Sequence, residues 1–182
     1  MVSLRHAAAV ALALVPLAGT GAASAKDLPP PPARAGLTVR AGRMTLVQGE
    51  HVRVLTRASA RTDVVGSAYA EVGVRAEVEL SWPGSASLRV SGPAAFEWSP
   101  TGEVRVLRAD RIEFEVRRGR RSVSLPGGWT LPVGRAALSL AETSVGDWNV
   151  EHRGGDAVTV ENDGDAEAVL HGGARVVLKT VR

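Results

Sequence analysis

The chain has 182 residues, of which 45% are hydrophobic and 23% charged, a globular balance that excludes wholesale disorder. It has no cysteine, which excludes a disulfide framework, a thiolate metal site and a cysteine nucleophile. A formal net charge of +3 is too small to imply nucleic acid.

Met1–Ala25 reads as an export signal. Arg5 and His6 form a basic start, Ala7–Leu17 an apolar run, and Ala23-Ser24-Ala25 a small-x-small cleavage site. The apolar run is too short for a membrane span, which needs about 20 residues. Cleavage after Ala25 is therefore expected, with an uncleaved interfacial anchor as the alternative. Residues 26–36, with Pro29–Pro32, read as a stiff polyproline spacer. Arginine outnumbers lysine 20 to 2 and alanine is abundant, the bias of a GC-rich bacterial genome. The expected location is periplasmic or extracellular, without a transmembrane segment.

Residues 37–182 read as one all-β domain of short antiparallel strands. In Arg75–Trp82, Ala76, Val78, Leu80 and Trp82 share one face, opposite Arg75, Glu77, Glu79 and Ser81. Ile112, Phe114 and Val116 alternate in the same way with Arg111, Glu113, Glu115 and Arg117. This period of two is that of a half-buried strand. It repeats at Val52/Val54, Phe96/Trp98, Val123/Leu125, Leu138/Leu140, Trp148/Val150 and Val176/Leu178. Turn chemistry separates the segments, for example at Pro83-Gly84, Gly127-Gly128 and Asp163-Gly164. Val150–Val158 and Val169–Val176 form a weak repeat of strand, His, double Gly and strand, so residues 161–182 are expected to be closing hairpins. Two architectures remain open: a β-helix-like stack of hairpins, or a β-sandwich.

The order of these pieces resembles the FecR-type periplasmic domain over about residues 37–160. The resemblance is carried by Met44-Thr45-Leu46-Val47-Gln48-Gly49-Glu50-His51-Val52-Arg53-Val54 and by Ala76–Val90 with its Leu80-x-x-x-Gly84-Ser85 core. Gly92-Pro93, Phe96-Glu97-Trp98, Val104–Val116, Ser124–Gly128, Leu131–Gly134 and Trp148–Val160 continue it. It implies a stacked-hairpin fold and a protein-contact or envelope-contact role in a sensing pathway. Two features depart from the family. An export signal replaces the cytoplasmic segment and membrane span of its sigma-factor regulators. Gly134-Arg135-Ala136-Ala137 stands where Gly-Thr-x-Phe is usual.

The sharpest charge feature is Arg117-Arg118-Gly119-Arg120-Arg121, expected at a hairpin tip. It is either a solvated turn that guards a sheet edge or a clamp for an anionic partner. Residues 101–135 carry eight arginines against four acids, and residues 136–182 four basic residues against eight acids. Such a dipole suits head-to-tail association. Trp82, Trp98 and Trp148 fall in register with core positions. Trp129 follows Gly127-Gly128 and is the candidate for an exposed, sugar-stacking ring.

His51, His152 and His171 read as turn histidines, with a weak metal site or a catalytic base as the alternatives. Glu161–Glu167 reads as a turn, with a cation loop as the alternative. The sequence has no Gly-x-Ser-x-Gly, His-Glu-x-x-His or phosphate-loop motif.

The functional expectation is a non-catalytic exported binding or scaffold module without cofactor, catalytic residue or metal. Its partner would be a protein or an anionic envelope component, contacted through Arg117, Arg118, Arg120, Arg121 and, secondarily, Trp129. The alternatives are a secreted polysaccharide hydrolase and a self-assembling structural subunit. Oligomeric state is left open.

Overall fold

The computed structural model describes residues 34–180, so the expected signal at residues 1–25 and most of the proline spacer lie outside the described residues. Among these residues every regular element is a strand, as the period-two patterning requires. In chain order they are β1 (Arg34–Ala41), β2 (Arg43–Gln48), β3 (His51–Thr56), β4 (Thr62–Val65), β5 (Ala68–Val72), β6 (Glu77–Trp82), β7 (Ala86–Trp98) and β8 (Val104–Val116). There follow β9 (Arg121–Leu125), β10 (Trp129–Val133), β11 (Ala136–Glu142), β12 (Trp148–Gly155), β13 (Val158–Asn162), β14 (Asp165–Leu170) and β15 (Arg175–Leu178). The first strand begins at Arg34, three residues ahead of the expected domain start at Leu37.

All strands belong to one hydrogen-bonded sheet with two branches. The first branch runs β14-β13-β10-β9-β8-β7-β5-β2-β3. The second runs β4-β1-β6-β7-β8-β11-β12-β15. The two meet in the long hairpin of β7 and β8, each 13 residues. Ala86–Ser91 of β7 pairs with β6 in the second branch, and Ala94–Trp98 pairs with β5 in the first. Between these halves the β7–β8 register slips from Ser91 to Ala94, and it slips again just inside the second half, from Ala95 to Phe96. Bulges bend strands and increase their twist, and these two let the hairpin pass from one branch to the other.

Chain geometry requires the bend. A straight 13-residue strand is about 40 Å long. Yet β9 starts five residues after the end of β8 and pairs in parallel with its beginning, Val104 with Val123 and Arg105 with Ser124. Five residues span at most about 17 Å, so β8 must fold back on itself. The inward residues of both branches accordingly form one hydrophobic cluster. Leu80, Leu88, Phe114, Leu140 and Trp148 come from the second branch, and Leu46, Phe96 and Leu131 from the first; all are fully buried. The fold thus joins features of both expected architectures: a continuous sheet, and two branches that share a core. It does not close into a barrel, because β3, β14, β4 and β15 each pair on one side only.

Three local expectations differ from the structure. The β8–β9 connection is a crossing between branches rather than a hairpin tip, because β9 pairs with the start of β8 and not with its end. The expected Val150–Val158 and Val169–Val176 hairpins are crossings as well: β12 pairs with β11 and β15, β13 with β10 and β14. The true closing hairpin is β13–β14, whose Asp163 (φ 47°) and Gly164 (φ 94°) form a two-residue turn with both central residues left-handed. Val52 and Val54 are exposed at 64% and 62%, because β3 is an edge strand whose inward side carries Leu55 and Arg53.

Candidate functional site

The arginine run occupies the β8–β9 crossing, and its four guanidinium groups do different things. Arg117 is paired with Glu115 at 3.0 Å. That hydrogen-bonded partner holds the Glu115 carboxyl below the usual glutamate range. The backbone N–H groups of Arg117 and Arg118 both donate to Ser85 O, at 2.7 and 3.1 Å. Arg121 reaches further. Its guanidinium donates to Thr101 O and, at 3.2 Å, to Ser85 Oγ, and it lies 5.6 Å from the centroid of the Trp82 ring. Ser85 precedes β7 and Thr101 follows it, so one side chain ties together the two ends of the folded strand. Planar multidentate donation combined with stacking is what arginine supplies and lysine does not. Arg118 and Arg120 remain exposed on either side of Gly119 (φ 82°), with no ion-pair partner within 4 Å among the described residues. The structure therefore presents two free cations on an anchored turn.

Trp129 is half-buried, while Trp82, Trp98 and Trp148 are core residues. It shares a face of β10 with buried Leu131 and Val133 and packs against the core. Its indole Nε1 donates to Lys179 O at 3.0 Å. Next to it, Thr180 donates from Oγ1 to Gly146 O and from its backbone to Asp147 Oδ1. Trp129 thus fastens the end of the second branch to the β9–β10 turn of the first. It is not brought together with the arginine tip.

A furrow of about 720 Å³ opens on the outer face of the first branch. It runs across outward-facing residues of successive strands, from Val47 on β2 through Tyr69 on β5, Glu97 on β7 and Arg105 on β8 to Ser124 on β9 and Thr130 on β10. Ser122, Ser124 and Thr130 point into it because Val123, Leu125 and Leu131 point inward. Opposite stand Tyr69, Glu97 and Arg105, the last two paired at 3.3 Å. The Tyr69 hydroxyl donates to Glu71 at 2.7 Å. Burial first, and that carboxylate second, push its phenol above the usual tyrosine range. The furrow starts at Ser122, one residue beyond Arg121. Hydroxyls, one aromatic edge and an ion pair suit a polar, hydroxyl-bearing chain. The alternation of Ser122 and Ser124 with Val123 and Leu125 is visible in the sequence; that β9 lies beside the start of β8, which sets Arg105 next to Ser124, depends on the crossing and is not.

The outer face of the second branch is a lattice of ion pairs. Arg40–Glu79, Arg89–Glu77, Arg89–Glu113, Arg111–Glu113, Arg153–Glu151 and Arg175–Glu151 lie at 2.7 to 3.5 Å. They are cross-strand and same-strand neighbours of opposite sign, each worth little in solvent. The Glu77/Glu79 and Glu113/Glu115 pairs are thereby bound to arginines.

His152, expected at a turn, is wholly buried, because it continues the inward face of Trp148 and Val150 on β12. Its Nε2 lies 2.8 Å from Asp156 O. A carbonyl only accepts, so Nε2 carries the proton. His51 and His171 are exposed. Among the described residues no three His, Asp or Glu side chains are grouped as a metal site would need, and no helix is long and apolar enough to cross a membrane. Compared with protein-family models, curated proteins and solved structures, the chain matches none.

Proposed function

We propose that this chain is an exported, non-catalytic binding or scaffold module, similar in role to a FecR-type periplasmic domain, that contacts an anionic cell-envelope component through Arg118 and Arg120. The observation that carries this reading is the anchoring of the tip. Arg117, Arg121 and Ser85 fix the turn, so the backbone that carries the two free cations needs little further ordering on binding, and the cost is confined to their side chains. The adjacent hydroxyl-lined furrow favours a glycan bearing acidic groups over a protein face.

The test is binding of the purified protein to isolated envelope material across a salt series. Reversal of both charges, R118E with R120E, should weaken binding about tenfold and flatten its salt dependence. Equal binding with an equal salt slope would reject the tip as the contact. Export is tested separately. Mass spectrometry of cell fractions should find a mature N-terminus at Lys26 outside the cytoplasm, whereas intact Met1 in the membrane pellet would reject cleavage.

A further inference from the structure

The open edges of the two branches are unlike. In the second branch the edge strands β4 and β15 have four residues each. In the first branch β3 and β14 have six each, and among the described residues each pairs on one side only. A long edge strand exposes a row of unpaired N–H and C=O groups, and short edges are a usual protection against pairing with another chain. The first branch lacks that protection at both ends. We propose that β3 of one molecule pairs with β14 of a second copy of this chain, so that the first branch continues from molecule to molecule.

Direction, faces and charge agree on this pairing. Across the first branch every neighbouring pair is antiparallel except β8–β9. Following these senses from one edge to the other, β3 and β14 point in opposite directions. A copy placed in line would therefore set its β14 antiparallel to β3, the more stable ladder. The apolar side chains also meet. Val52 and Val54 stand on the outer face of β3, and Val169 on the outer face of β14, exposed at 55%. Aligning the strands end to end sets Val52 opposite Val169 and brings Val54 beside Glu167, the extra residue of the β14 bulge.

The charges are complementary. Arg53 and Arg57 flank the β3 edge, while Asp163, Asp165 and Glu167 line the β14 edge. None of these five has an ion-pair partner within 4 Å among the described residues. The end-to-end register brings Arg57 beside the Asp163–Asp165 turn. Because the two edges are different surfaces, the contact is heterologous and does not pair a molecule with itself in a closed dimer.

Charge exchange tests this. The variant R53E with R57E has two acidic edges, and the variant D165R with E167R has two basic ones. Light scattering on the purified protein at low salt should give a wild-type mass that rises with concentration beyond about twice the monomer value. Each variant alone should stay at monomer mass, and an equimolar mixture of the two should associate. A wild type that remains monomeric, or a single variant that associates as the wild type does, would overturn the proposal. Hydrogen exchange gives a reading free of mutations: amides of β3 and β14 should gain protection together as concentration rises. Protection independent of concentration would instead mean that another part of the same molecule covers these edges.

Discussion

The two branches share β7, β8 and one core, yet their outer faces are built on different chemistry. On the second branch, Glu79, Glu113 and Glu151 each accept an arginine, and the edge strands are short. Those three carboxylates are occupied by arginines of the same branch. On the first branch, hydroxyls line an open furrow and two edge strands are long, and at the crossing that leads into it Arg118 and Arg120 are exposed with no ion-pair partner among the described residues. The comparison teaches that arginine content says little about binding here. What matters is whether each guanidinium is already occupied, and only the topology decides that.

The largest expected effect comes from the joint between the branches. A side chain at Gly92 would overlap the Gly73 carbonyl and Val72. Gly92→Ala should therefore lower stability by about 3 kcal/mol, because backbone there has nowhere to move. Urea unfolding measures it, and a loss below about 0.5 kcal/mol would mean the joint is loosely packed. Next is the clasp. Arg121→Ala removes the bonds to Thr101 O and Ser85 Oγ and the contact with Trp82, and should cost about 2 kcal/mol. Arg121→Lys should recover less than half of that, since an ammonium cannot donate to both ends of β7 and stack as well.

Within the second branch the effects should be small. Glu113→Gln removes the carboxylate shared by Arg89 and Arg111 and should change stability by about 0.5 kcal/mol or less, declining further in high salt. The smallest effect concerns acid. Glu115 has a lowered pKa in the folded state, chiefly through its hydrogen bond from Arg117. Its contribution is present above the ordinary glutamate range and is lost as pH falls through the lower folded value. Glu115→Gln should lower stability slightly at neutral pH and leave it nearly unchanged in acid below the folded value, so that urea unfolding across pH shows a slightly flatter acid limb.

Much of the strand content was legible because one buried face leaves a period of two, as in Ala76–Trp82. The Asp163-Gly164 turn was legible because a two-residue hairpin demands left-handed backbone. Other features were not. Local pattern does not distinguish a hairpin from a crossing, so the arginine run has the signature of a tip although β9 pairs with the far end of β8. Val52 and Val54 alternate like core residues, but β3 lies at the edge with both faces partly uncovered. His152 had the parity of Trp148 and Val150, and its following glycines drew the reading toward a turn. They belong to the strand instead, where Gly155 passes against the Arg135 carbonyl too closely for a side chain. Of the five candidate site residues, Arg121 and Trp129 tie separate parts of the fold together, Arg117 pairs with nearby Glu115, and Arg118 and Arg120 face solvent.

The central claim is that the crossing into the first branch carries the contact surface and the ion-pair lattice of the second branch does not. Crosslinking from native envelopes tests it with three proteins side by side: the wild type, the tip reversal R118E with R120E, and the lattice reversal R153E with R175E, all checked for unchanged circular dichroism. The account predicts that the tip reversal loses crosslinked partners while the lattice reversal keeps those of the wild type. Identical partners for the tip reversal and the wild type, or loss confined to the lattice reversal, would contradict it.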